Sequence, residues 1–85
     1  MQISAELSLY PLSNDYKPEI KNYIALLNKF PELDVKTNAL STEIFGDYDI
    51  VMRAIQTASK TLFEQDSPVV LIAKYLNKDR RGKNE

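Results

Sequence analysis

Residues 2–10, QISAELSLY, alternate without a break: Ile3, Ala5, Leu7 and Leu9 fall on one side, and Gln2, Ser4, Glu6, Ser8 and Tyr10 on the other. A period of two sustained this long is the pattern of a β-strand with one dry face and one wet face. A lone strand cannot hold that arrangement in water, so the dry side needs helices or a second sheet. The rest of the chain must supply that cover.

Pro11 stops ladder donation, and Ser13, Asn14 and Asp15 offer helix caps ahead of Pro18, which a first turn tolerates. Ile20, Tyr23, Ile24 and Leu27 then recur at spacings of three and four, with Lys17, Glu19, Lys21, Asn22 and Asn28 elsewhere, so a helix with one apolar stripe is predicted, ended by Pro31. Residues 33–39 and 40–45 read as two short strands with a turn near Asn38, because Val35, Thr37, Thr42, Ile44 and Phe45 are β-branched or aromatic. Gly46 is read as closing that hairpin, and Asp47 or Asp49 as capping a second helix, in which Val51, Ala54, Ile55, Ala58 and Leu62 form the stripe. Ser67 and Pro68 break this helix, and residues 69–76, the most apolar segment, read as a strand suited to the centre of a sheet.

The order β-α-β-β-α-β predicts an α+β, ferredoxin-like (split βαβ) fold: a four-stranded antiparallel sheet with two helices on one face. The first and fourth strands are expected side by side at the centre, which puts the polar side of residues 2–10 mid-sheet on the uncovered face. Residues 1–77 form the domain, and 78–85 are a charged end expected to be loose and assigned no role. A chain of 85 residues buries only about 60–65% of its unfolded surface. So thin a core, with Ile44, Val70, Ile72 and Leu76 needing cover, predicts a homodimer or homotetramer.

Composition removes several functions. With 11 basic and 12 acidic side chains the formal net charge is -1, which leaves no electrostatic footprint for nucleic acid. Cysteine and histidine are both absent, which takes away thiolate chemistry, the usual general base and the commonest metal ligands. No metal, cofactor or catalytic residue is expected, and the chain reads as a binding protein and not an enzyme. The longest apolar run, residues 69–73, is far short of the roughly 20 residues that span a bilayer, and no basic region precedes an apolar core at the amino terminus. A cytoplasmic protein without membrane contact is the expectation.

On the uncovered face Glu6 is the residue of most interest, since a carboxylate in mid-sheet must find a partner or neutralise if anything covers it. The plain reading pairs it with Lys74 on the neighbouring strand. The functional one takes Ser4, Glu6, Ser8 and Tyr10 as the floor of a shallow polar pocket, with the hairpin residues Thr37, Asn38, Ser41, Thr42 and Glu43 as its wall. Against this stands ordinary turn and edge-strand polarity. Tyr10, Tyr48 and Tyr75, with Phe45 behind them, are the rings available for stacking on a cation.

The elements Ser8-Leu9-Tyr10-Pro11-Leu12, Thr37-Asn38-Ala39-Leu40-Ser41-Thr42-Glu43-Ile44 followed by Gly46-Asp47, and Asp49-Ile50-Val51, in this order, resemble the YkoF-like thiamine-binding family. The resemblance runs from the first strand to the fourth. It implies a ferredoxin-like module that binds thiamine or its hydroxymethylpyrimidine moiety and assembles by joining sheets. It further implies that Ser8 and Tyr10 match the family's S/A-L-Y-P element and that Ser41 falls in its small-hydroxyl hairpin, with Thr37, Asn38, Thr42 and Glu43 placed by neighbourhood. Glu6 or Glu43 would supply a charge-assisted acceptor. Where some relatives have two modules in tandem this chain has one, so the ligand would lie against the open sheet at a subunit interface. The competing reading is a non-catalytic regulatory or assembly module that oligomerises through its sheet. An acylphosphatase-like hydrolase of this topology would need an arginine in the loop after the first strand, and residues 11–17 contain none.

Overall fold

The dry side of the first strand is covered by both helices. The computed structural model describes residues 1–12 and 17–81. Ser13, Asn14 and Asp15, read above as caps, and residues 82–85 lie outside the described residues. The elements run β1 (Gln2–Pro11), α1 (Lys17–Leu27), β2 (Asp34–Thr37), β3 (Thr42–Asp47), α2 (Tyr48–Phe63) and β4 (Val69–Leu76). The strands form one antiparallel sheet in the order β2-β3-β1-β4, which is the ferredoxin-like α+β arrangement.

One cluster makes the core: Ile3, Ala5 and Leu7 of β1 and Ile44 of β3 meet Tyr23 and Leu27 of α1 and Val51, Ala54, Ile55, Ala58 and Leu62 of α2. Every residue of the α2 stripe is buried, which is why that helix holds its angle across the sheet. Asp47 starts it by accepting a hydrogen bond from the backbone N–H of Asp49 at 3.2 Å, an N-cap in extended conformation.

Two expectations need correction. The segment 69–76 does pair with β1, but β4 is an edge strand, and β1 and β3 are the central pair. Its apolar residues do not reflect cover on both faces: Val69, Leu71 and Ala73 pack on the core, while Val70, Ile72 and Leu76 are exposed on the opposite face. The second concerns Gly46, which lies inside β3 and does not close the hairpin. The turn is at residues 38–41, where the Asn38 N–H donates to the Ser41 carbonyl at 2.8 Å. A Cβ on Gly46 would come within 2.5 Å of Leu33 Cδ2, so glycine here gives room for the side chain that leads into β2.

Between the helices the Tyr23 and Ser59 hydroxyls meet at 3.3 Å in a buried contact. Burial raises the Tyr23 pKa above its ordinary value, the hydrogen bond to Ser59 opposes that, and neighbouring Tyr75 adds to it. The folded state therefore holds this proton more tightly than the unfolded chain does. The resulting stability is fully present below the unfolded value near 10 and is lost as pH rises through the folded value. Tyr23→Phe leaves the Ser59 hydroxyl without this partner, at an expected cost of about 1–3 kcal/mol at neutral pH. In melts taken at increasing pH, the variant is expected to lose less further stability above about pH 10 than the wild type does.

Candidate functional site

The open face is ordered by register. Lys36 of β2 is opposite Glu43 of β3, Glu43 is opposite Glu6 of β1, and Glu6 is opposite Lys74 of β4, so one charged row crosses the whole sheet. At its centre two carboxylates face one another on adjacent central strands, an arrangement that by itself opposes folding. Each is compensated locally. Glu6 accepts a hydrogen bond from Ser41 Oγ at 3.3 Å and pairs with Lys74 Nζ at 3.8 Å. Glu43 accepts from Asn38 Nδ2 at 2.7 Å. The pairing of Glu6 with Lys74 read from the sequence is thus present, but the Lys74 side chain is 75% exposed and the contact is worth at most about 1 kcal/mol. The two acidic groups stay largely available to a stronger cation.

Beside this row lies a depression of about 280 Å³ bordered by Ser4, Glu6, Glu43, Phe45, Lys74, Leu76 and Arg80. Phe45 comes next to Glu43 on the same side of β3, opposite Ser4. Of the rings weighed for stacking, that of Phe45 is on the side of the depression; Tyr75 borders it too, but opposite the buried Ala5 its side chain falls on the helix side, and Tyr10 and Tyr48 lie outside it. On the other side of the charged row the face becomes apolar: Tyr10, Val70 and Ile72 are each between 45% and 51% exposed. Ser8 opposes Ile72 and Tyr10 opposes Val70 there, outside the depression.

The hairpin residues divide between the two sides of the sheet. Asn38, Ser41 and Glu43 join Glu6 on the open side through the hydrogen bonds above. Thr37 and Thr42 do not form a wall there, because strand alternation puts them on the side of the helices. They border a smaller cavity of about 120 Å³ together with Leu7, Leu9, Ile20, Tyr23, Ile24 and the turn at residues 38–41. Among the described residues no charged side chain lines it. Asn38 and Ser41 border this cavity and also reach the carboxylates, so the turn touches both sites.

The first residues of the charged end contribute as well, although no pattern in the sequence points to them. Ser4 Oγ donates to the Lys78 carbonyl at 2.7 Å and accepts from the Arg80 N–H at 3.0 Å. Arg81 places its guanidinium 5.4 Å from the centre of the Phe45 ring and pairs with Asp79 at 2.8 Å and Asp34 at 3.5 Å. Phe45, although on the open side, is consequently only 4% exposed. Among the described residues no cluster of three or more His, Cys, Asp or Glu side chains is placed to hold a metal. No described helix is long and apolar enough to cross a membrane.

Fold and surface together define a small α+β module with one helix-covered face and one open face carrying paired carboxylates. The chain belongs to the thiamine-binding protein family, whose model matches residues 5–85. Its structure resembles a hypothetical protein of Methanocaldococcus jannascii at 27% identity, covering 98% of this chain and 87% of that one, with a TM-score of 0.80. A Streptococcus pneumoniae protein matches at 24% identity over 93% of this chain and 89% of that one, with a TM-score of 0.81. A Thermotoga maritima protein provisionally assigned to thiamine biosynthesis or salvage shares the fold at 16% identity, with a TM-score of 0.79 over 92% of this chain and 85% of that one. No curated protein matches the sequence.

Proposed function

We propose that this protein binds thiamine or its hydroxymethylpyrimidine moiety without converting it, and that the ligand lies on the open face against Glu6 and Glu43. The observation that carries this reading is the opposed carboxylate pair in the middle of the sheet, beside a depression that includes Phe45. Thiamine brings a permanently cationic thiazolium ring and an aminopyrimidine. A carboxylate is a charge-assisted acceptor for the amino group, a second one neutralises the ring, and an aromatic face attracts the same cation. Family membership supports the ligand class.

The exposed Val70, Ile72, Leu76 and Tyr10 support a second part of the proposal: a second copy of the chain covers this face, giving a homodimer or homotetramer. Ser8 and Tyr10, outside the depression in the monomer, then border a cavity closed by the partner. Assembly through the sheet without a ligand is the competing function, and it predicts the same oligomer with no response to thiamine.

The smaller cavity favours a variant of this reading, because Thr37, Asn38, Ser41 and Thr42 border it and its described lining residues are uncharged and in good part apolar, which suits a neutral ring. Thr42→Val separates the two locations. With the ligand on the open face, calorimetric titration of this variant with hydroxymethylpyrimidine gives the wild-type affinity. A loss of about 2- to 12-fold, the effect of one neutral hydrogen bond, would move the pyrimidine to the smaller cavity.

A further inference from the structure

The segment from Lys78 to Arg81 does more than end the chain. It crosses one end of the open face and is held there at two points. The first is Ser4, whose hydroxyl is used twice, as donor to the Lys78 carbonyl at 2.7 Å and as acceptor from the Arg80 N–H at 3.0 Å. Ser4 is 9% exposed, so both bonds are shielded from competing water. The second point is Arg81, which lies 5.4 Å from the Phe45 ring centre and is braced by carboxylates on both sides, Asp79 at 2.8 Å and Asp34 at 3.5 Å. Its guanidinium is a flat, delocalised cation set against an aromatic ring. That is the chemistry a cationic heterocycle would present to the same ring.

We propose that residues 78–81 form a strap that closes the Phe45 end of the open face, and that Arg81 occupies the place of a cationic ligand ring until such a ligand displaces it. This deepens the function proposed above and rests on it, since Phe45, whose contact is displaced, borders the same depression. The strap makes binding selective. A ligand with its own cation recovers the Phe45 contact that Arg81 gives up, whereas a neutral ring does not and leaves the strap closed. Binding is also weakened by whatever fraction of molecules is strapped, because affinity falls with the population of the competent state.

Two measurements on the full chain decide this. In the free protein, hydrogen exchange at the Arg80 amide reads the strap directly: the amide is expected to be protected in the wild type and to exchange faster in Ser4→Ala, which removes both hydrogen bonds of the first point. An Arg80 amide that exchanges at the unprotected rate in the wild type overturns the strap and leaves thiamine binding untouched. Calorimetric titration of wild type and Arg81→Gln with thiamine and with hydroxymethylpyrimidine reads the competition. Loss of one partly exposed cation–aromatic contact should tighten thiamine binding about two- to fivefold and leave the neutral pyrimidine unchanged. Measurable thiamine binding that is equal or weaker in Arg81→Gln overturns the displacement while the proposed function stands. Absence of thiamine binding in both proteins overturns the displacement, and absence of hydroxymethylpyrimidine binding as well overturns the proposed function with it.

Discussion

Glu6→Ala is expected to weaken thiamine binding by about 10- to 150-fold, the cost of about 1.5–3 kcal/mol for a charge-assisted contact. The size follows from position. Glu6 stands between Glu43 and Lys74 in the row that crosses the sheet, and its only described partners are a hydroxyl at 3.3 Å and an exposed lysine at 3.8 Å. Neither contact is strong enough to compete with a ligand cation that brings its own desolvated charge. The fold should tolerate the change, because the alanine side chain lies on the open face and relieves the repulsion with Glu43. Titration calorimetry beside a thermal melt separates the effects: weakened binding at an unchanged midpoint supports the site, and wild-type affinity in Glu6→Ala removes it from the open face.

Ile44→Ala is expected to cost about 2–5 kcal/mol of stability. Ile44 is fully buried on a central strand, opposite Ala5 of β1 and Val35 of β2. A domain of this length has about 4–13 kcal/mol to lose, so the melting midpoint should fall by at least about 8 °C. Ile72→Ala gives the contrast: at 46% exposure it should change the monomer by no more than about 0.5 kcal/mol. A larger cost at Ile72 that grows with protein concentration would report a second copy on the open face, since only subunit association makes the midpoint concentration-dependent.

These two isoleucines also mark how far the sequence can be read. Both need cover by their sequence, and only the three-dimensional order distinguishes them: Ile44 lies in the core cluster on the helix side, while Ile72 lies on the bare side of an edge strand. Periodicity found the elements because the stripes of α1 and α2 and the alternation of β1 are local patterns imposed by burial on one side. It assigned β4 to the centre because an apolar run looks the same whether the second face is covered by helices or left for a partner. Gly46 departs from its expected place for a related reason: glycine marks a turn in the sequence, whereas here it is needed to let Leu33 approach, a contact the sequence does not display.

The arrangement of the candidate site was legible in part. Glu6, Ser41, Asn38 and Glu43 do come together through hydrogen bonds, as the alternation of β1 and the polar turn suggested. Thr37 and Thr42 fall on the other side of the sheet because a hairpin with its turn at residues 38–41 sends alternate residues to opposite faces. Phe45 ranked below three tyrosines in the sequence reading, yet it borders the depression, and Arg81 had no role there at all. Contacts between the two ends of the chain, such as Ser4 with Arg80, leave no periodic trace, so they become visible only when the sheet brings them together.

Calorimetric titration of the wild-type protein with thiamine, at low and at high salt, tests the central claim most directly. The carboxylate pair predicts saturable heat at micromolar ligand, weaker at high salt because the partly exposed charges are screened, together with a rise in melting midpoint as ligand is added. No heat and no thermal stabilisation at about millimolar thiamine would contradict it, and would leave assembly through the sheet as the function of the open face.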